Sequence, residues 1–75
     1  MIRARVKSSN IVSIGHEPRT NTLEVEFAGG RVYQYNDVNF SEYNRLMNAG
    51  SIGKHFAAFI KPFKETRRID DGERR

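Results

Sequence analysis

The chain has 75 residues, of which 37% are hydrophobic and 29% are charged, a composition typical of one small globular domain. It contains no cysteine, which excludes disulfides, thiolate catalysis and cysteine zinc sites. Thirteen Lys and Arg residues against nine Asp and Glu residues give a net charge of +4, which favours anionic partners such as RNA, DNA, nucleotides or an acidic protein surface. No apolar run matches a signal peptide or a membrane span, so we expect a cytoplasmic protein without membrane contact.

The small size of the chain predicts marginal stability as a monomer. A domain of this length buries only roughly 60% of the surface that its unfolded chain exposes. We therefore expect a homo-oligomer.

The first half of the chain carries the period-two alternation of β-strands. Residues 22–27 (TLEVEF) are the clearest strand, with apolar side chains on one face and two glutamates on the other. Residues 2–9 alternate apolar and mostly cationic side chains, which predicts a strand with a basic outer face. A short β-prone run ends at Gly15, and residues 32–36 form a returning strand after the clearest one.

The hairpin around Gly29–Gly30 has two possible registers. A two-residue loop would leave Tyr33 and Tyr35 on the face opposite Phe27. A three-residue loop ending at the second glycine would pair Phe27 with Arg31 and place both tyrosines beside the apolar residues of the preceding strand. The second register is favoured because it buries two aromatic rings against an apolar face.

Two short helices are predicted after the last strand. Asn39 and Glu42 have the spacing of a capping box, and Gly50 has the position of a left-handed C-terminal cap. Ser51 can cap the second helix, which Pro62 ends or kinks. The apolar stripe of this second helix consists of Ile52, Phe56, Phe59, Ile60 and Phe63.

The order of these elements predicts the α+β class: a small antiparallel sheet of three to four strands, followed by two short α-helices packed on one face. We expect one domain over residues 1–69 and a charged, flexible tail over residues 70–75.

Residues 49–56 (AGSIGKHF) superficially resemble a phosphate-binding loop. The P-loop motif does not fit, because Asn48 occupies the first glycine position and His55 replaces the magnesium-binding Ser or Thr. A weaker hypothesis remains, in which the backbone N–H groups of residues 51–53 bind an anion beside Lys54. The alternative is a plain joint between two capped helices, and both interpretations stay open.

Basic and hydroxyl side chains near the start of the chain also suit phosphate binding. Arg3, Arg5 and Lys7 share one side of the first predicted strand and could follow phosphates, with residues 8–10 adding hydrogen bonds. The same stripe is typical of a solvated edge strand. A second basic cluster favours a solvated tail and comprises Lys61, Lys64, Arg67 and Arg68.

The candidate ligand-binding residues, for phosphate or ribose, are therefore Arg5, Lys7, Ser8, Ser9, Asn10, Ser51, Gly53 and Lys54. Tyr33 and Tyr35 share one strand face and are the candidates for base stacking. The alternative for the tyrosines is core packing, and the hairpin register decides between the two.

No residue pattern indicates catalysis or metal binding. His16 and His55 are the only histidines, and neither has a partner at metal-ligand spacing or in a Ser/His/Asp context. We expect no cofactor, no metal and no enzyme activity.

Three segments together resemble the KTSC domain, named after a C-terminal extension of some lysyl-tRNA synthetases and also found as a stand-alone protein in bacteria and phages. They are SSNIVSIGH, TLEVEFAGGRVYQY and FSEYNRLMNAGSIGKHFAAFIKPF. The resemblance spans about residues 5–69. The sequence departs from the family pattern at Asn39, where proline is frequent, and at His16, where an aromatic residue is usual.

The resemblance implies an RNA-binding appendage to a tRNA-handling enzyme or, for a phage protein, an oligomeric sponge that sequesters a cyclic nucleotide signal of host immunity. Together with the residues above, it predicts a non-enzymatic binding module for RNA or nucleotides. A hypothesis of another class is a protein–protein interaction module with an exposed aromatic and basic face.

Overall fold

The sheet has five antiparallel strands that lie side by side in chain order. The structure is a computed structural model that describes residues 1–70. Its elements are β1 (Ala4–Arg5), β2 (Ile11–Glu17), β3 (Thr22–Phe27), β4 (Val32–Tyr35), α1 (Phe40–Met47), α2 (Ile52–Phe59) and β5 (Thr66–Arg68). The predicted α+β class is confirmed, with one strand more than the three to four expected.

The additional strand, β5, is an edge strand with exposed side chains only. It pairs with β4, placing Thr66 opposite Tyr35 and Arg68 opposite Tyr33. Beyond the strand, Asp70 accepts hydrogen bonds from the Val32 N–H at 3.2 Å and from Arg68 at 2.6 Å. A strand held by backbone bonds at a solvated edge needs no apolar alternation, so the charged sequence did not indicate it. Asp70, the first residue of the predicted tail, is thus hydrogen-bonded to the edge of the sheet. The other predicted tail residues, 71–75, lie outside the described residues.

The β3–β4 hairpin adopts the three-residue register. The Phe27 N–H donates to the Arg31 carbonyl at 2.8 Å, and Tyr33 and Tyr35 lie opposite Val25 and Leu23. The two loop glycines have φ values of 96° and 92°, in the left-handed region that glycine adopts without steric cost. The favoured register is therefore confirmed.

The core lies between the sheet and the helices. Leu23 and Val25 of β3 form one cluster with Leu46 of α1 and with Phe56 and Ile60 from α2 and its end. Leu46 and Phe56 are the buried residues of their helices. Both helices thus cover the same face of the sheet, because the apolar side chains of β3 all lie on that face.

The opposite face of the sheet is polar and is crossed by the N-terminal segment. Arg3 donates to Ser13 at 3.0 Å and forms an ion pair with Glu24, which is only 6% exposed. The segment approaches the sheet at Gly15, where an added Cβ would lie 2.7 Å from the carbonyl oxygen of Ile2. This contact explains why glycine lies inside β2, whereas the sequence predicted that the strand would end there.

Three of the four helix ends follow the sequence, including the end of α2 at Phe59, ahead of Pro62. Asn39 and Glu42 form the predicted capping box, and Ser51 caps α2. The predicted left-handed cap at Gly50 is wrong, because α1 ends two residues earlier, with Asn48 as its C-cap at φ −99°. The Asn48 N–H donates to carbonyls of the last turn. These carbonyls therefore have a hydrogen-bond donor without a left-handed glycine at the end of α1.

We expect Arg3→Met to lower the free energy of unfolding by about 1–3 kcal/mol, because Glu24 would then be buried without its cation. Urea denaturation followed by circular dichroism measures this loss. Arg5→Met is the matched control, since the Arg5 side chain is exposed, and it should change stability by less than about 0.5 kcal/mol. Equal losses in both variants would contradict a specific role for the Arg3 ion pair.

Candidate functional site

A groove of about 420 Å³ lies between the β1–β2 connection and the first turn of α2. Its lining residues are Lys7, Ser8, Ser9, Asn10, Gly50, Ser51, Ile52, Gly53, Lys54 and Ala57. Seven of the eight sequence-predicted phosphate or ribose residues therefore meet here. We call this site the basic groove.

Arg5 is the predicted residue that the basic groove does not include. It pairs with Ser13 across β1 and β2, and directly paired residues of antiparallel strands share a face. Ser13 belongs to the polar face, where its hydroxyl donates to Glu26 at 2.8 Å. Arg5 thus lies on the side of the sheet away from the helices, and Arg3 is neutralised there by the two glutamates. Of the predicted cationic stripe, only Lys7 reaches the groove.

The two walls of the basic groove meet where Gly53 faces Ser8. A Cβ at position 53 would lie 3.3 Å from the Ser8 hydroxyl oxygen, closer than most side-chain contacts allow. The same hydroxyl accepts from the backbone N–H groups of Asn10 and Ile11, each at 3.4 Å. The two hydrogen bonds fix the Ser8 side chain within the connection between β1 and β2, which lies close to the start of α2.

The basic groove presents donors and positive charge. Within residues 1–70, the N–H groups of Ile52 and Gly53 have no hydrogen-bond acceptor, while the Lys54 N–H donates to the capping Ser51 hydroxyl at 3.4 Å. In the same part of the chain, Lys7 and Lys54 form no salt bridge. Free first-turn N–H groups beside ammonium groups are suited to an anion.

A second groove of about 400 Å³ adjoins the first, because Asn10 lines both. Its lining residues are Asn10, Phe27, Arg31, Tyr33, Tyr35, Lys61 and Thr66. We call this site the aromatic groove. The sequence reasoning missed Phe27 and Arg31 as site residues and assigned Lys61 to a solvated cluster, since only the folded sheet brings these residues beside Asn10.

The two predicted stacking tyrosines have different environments. Tyr35 is 3% exposed and packs edge-on against Phe56, with 5.1 Å between ring centroids. The stacking role predicted for Tyr35 does not fit this placement, because its ring faces are covered in the core. Tyr33 is half-buried and contacts Phe27 edge-on at 5.8 Å. Tyr33 is therefore the tyrosine with surface left for a ligand.

Charge is distributed unevenly around the sheet. Among residues 1–70, the lining of the two grooves includes Lys7, Arg31, Lys54 and Lys61 and no carboxylate. Glu24 and Glu26 face Arg3 on the polar side, and the remaining ion pairs of residues 1–70 join Lys64 to Glu42 and Arg68 to Asp70. Within this part of the chain, none of the four groove cations forms an ion pair.

The two histidines have different surroundings. The His16 Nε2–H donates to the Val38 carbonyl at 2.6 Å, and the ring stacks on Tyr43 at 4.9 Å. His55 lines a different groove, between the helices. Within residues 1–70, no cluster of His, Asp and Glu has the arrangement needed to hold a metal ion.

The fold and these grooves define a small α+β domain with a basic, partly aromatic surface cleft. Residues 7–63 match the model of the KTSC domain family, and the chain belongs to this family. It is similar to a KTSC domain protein of Yersinia pestis whose crystal structure superposes with a TM-score of 0.86 at 38% identity, covering 91% of this chain and 96% of that one.

Curated relatives occur both as short proteins and as parts of longer ones. An uncharacterised protein of Stutzerimonas stutzeri is 39% identical over 83% of this chain and 87% of its own length. A lysine–tRNA ligase of Nostoc punctiforme is 44% identical over 73% of this chain, which corresponds to only 10% of the ligase. These matches indicate no catalytic family for the chain. Neither helix among residues 1–70 has the length and hydropathy to cross a membrane.

We expect alkaline pH to destabilise the fold through Tyr35. Burial, with a smaller effect from Tyr33, raises the pKa of Tyr35 to about 12 from its usual 10.0. The folded state therefore favours the neutral phenol, and this contribution is complete below about pH 10 and is lost as the pH rises towards the folded pKa.

Urea denaturation between neutral pH and about pH 12 should show a loss of up to about 2 kcal/mol from this group. Tyr35→Phe should reduce the pH dependence, whereas Tyr33→Phe, the matched control, should retain most of it, because burial is the larger cause of the raised pKa. An unchanged pH dependence in Tyr35→Phe would contradict this assignment.

Proposed function

We propose that this protein is a non-enzymatic binding module for RNA or nucleotides, with phosphate in the basic groove and a base in the aromatic groove. The observation that carries the proposal is the adjacency of the two grooves, which share Asn10 and whose lining within the described residues 1–70 holds four cations and no carboxylate. An anionic ligand with a planar aromatic group is complementary to both parts.

The phosphate would lie between Lys7 and Lys54. The N–H groups of Ile52 and Gly53 would donate to its oxygens, and the hydroxyls of the lining serines would add further bonds. Hydrogen bonds to an ionised acceptor are about twice as strong as neutral ones. The close approach of Gly53 to Ser8 supports this arrangement, since a larger residue at position 53 would fill the floor of the groove.

The base would contact Tyr33 in the aromatic groove, with Arg31 at its side. Arg31 already lies over the Phe27 ring, 5.9 Å from its centroid, so a cation and an aromatic ring lie together in the wall of the aromatic groove. Stacking on one aromatic side chain contributes roughly 1–3 kcal/mol per base. A base enters such a groove only when it is unpaired, which favours single strands, loops or free nucleotides over duplexes.

The relatives support a ligand of this class. Two of them are named lysine–tRNA ligases, and the similar region forms a small part of the ligase of Nostoc punctiforme. A role beside a tRNA-directed enzyme is compatible with binding unpaired RNA, and a cytoplasmic location is part of this proposal. A cyclic di- or trinucleotide would offer the same phosphate and base, as expected of a phage-type sponge.

Lys7→Gln and Lys54→Gln should each weaken binding of a fluorescent single-stranded oligoribonucleotide about threefold to tenfold, because each removes one phosphate contact of about 1 kcal/mol. The slope of log affinity against log salt should fall by about 0.7 per variant. Fluorescence anisotropy across a salt series measures both. Arg19→Gln, which removes an equal charge at an exposed turn, is the matched control and should change neither.

Tyr33→Ala should also weaken binding of the oligoribonucleotide without unfolding the domain.

Calorimetry against a panel of cyclic di- and trinucleotides separates the two ligand classes, since tight binding of one panel member with weak RNA binding would favour the sponge. Folded protein that binds neither RNA nor any nucleotide would disprove the proposed function.

A further inference from the structure

The outer surface of α2 is apolar and exposed. The helix and its end carry no charged residue between Lys54 and Lys61. Phe56 and Ile60 turn into the core, whereas Phe59 is 60% exposed. The sequence periodicity predicts that Phe59 packs inward with these two residues, and the structure instead leaves this ring against solvent. A large exposed aromatic side chain on a helix of a small domain is typical of an interaction surface.

Phe59 lies at the rim of a groove between the two helices. This helix groove measures about 310 Å³ and is lined by Glu42, Arg45, His55, Phe59 and Ile60. Ile60 supplies a buried apolar floor, and the His55 and Phe59 rings lie side by side with 4.8 Å between centroids. The helix groove thus has an apolar floor that an inserted aromatic ring would contact. The Phe59 ring projects outward from its rim.

We propose that a second copy of this chain covers the helix groove, in a two-fold dimer in which Phe59 of each protomer enters the groove of the other. A two-fold interface uses the same patch on both copies, so the patch must be complementary to itself. The helix groove meets this requirement, because it contains both the projecting ring and the apolar surface that accepts one.

The charges at the rim of the helix groove support a second copy as the occupant. Glu42 and Arg45 have opposite charges and both lie on α1. Within residues 1–70, Arg45 has no carboxylate partner and donates only to the Ser41 hydroxyl, at 2.9 Å. Glu42 pairs with Lys64 at 2.9 Å and its side chain remains 24% exposed, so a two-fold axis through the groove can bring Arg45 of one copy to the outer side of this carboxylate in the other.

A nucleic acid does not suit the helix groove, which has a carboxylate at its rim and an apolar floor. The lining residues are also different from those of the basic and aromatic grooves. The proposed dimer and the proposed nucleotide binding therefore use different surfaces. An experiment can disprove one without disproving the other.

Sedimentation equilibrium of the full chain over a range of micromolar concentrations tests the dimer. The unmodified protein should sediment as a dimer, and Phe59→Asp should raise the dimer dissociation constant at least tenfold. Arg45→Glu should raise it as well, because it sets two like charges together across the axis. The matched control is Phe40→Asp, which changes a residue that is 58% exposed and contacts His16 and Tyr43 outside the helix groove.

Circular dichroism establishes that each variant is folded, and Phe59→Ser replaces Phe59→Asp if the charged variant does not fold. A monomeric unmodified protein at concentrations up to the order of 100 µM, equivalent to a free energy weaker than about −5.5 kcal/mol, would overturn the dimer. A dimer weakened equally by Phe40→Asp and Phe59→Asp would overturn its location at the helix groove.

Discussion

The β3–β4 hairpin closes through a three-residue loop in which Gly29 and Gly30 both have positive φ. This loop pairs Phe27 with Arg31 and thereby sets Tyr33 and Tyr35 on the helix-facing side of the sheet. A shift of one residue would turn every side chain of β4 to the other face. The core would then lose Tyr35, and the aromatic groove would lose Tyr33. The packing of α2 and the chemistry of the groove therefore both depend on this register.

The two faces of the sheet divide the charges of the chain. On the polar face, Arg3 is bound to carboxylates, and Ser13 and Gln34 complete the network through hydrogen bonds to Glu26 and Glu24. On the helix-facing side, the lysines of the basic groove have no carboxylate partner among residues 1–70. A modest net charge of +4 is thus accompanied by two grooves whose lining, among residues 1–70, holds four cations and no carboxylate. This separation is the physical basis of the proposed nucleotide site.

The fold places the basic groove and the helix groove on different parts of α2. The start of the helix supplies Ser51, Gly53 and Lys54 to the basic groove, whereas His55 and Phe59 line the helix groove. A dimer through the helix groove leaves the first turn of α2 free for a ligand. Two binding sites in one assembly would increase the avidity for a long RNA without any new contact.

Local patterns in the sequence determined the elements that depend on neighbouring residues. The alternation of residues 22–27, the capping box at Asn39 and the Ser51 cap all arise within a few residues, and the paired glycines together with the aromatic alternation favoured the observed hairpin register. Only the tertiary structure decided that Lys7–Asn10 meet the start of α2, that Arg3 and Arg5 lie on the other face, that Tyr35 is buried and that β5 completes the sheet. These outcomes depend on contacts between distant segments and on backbone bonds at a solvated edge, for which side-chain periodicity carries no signal.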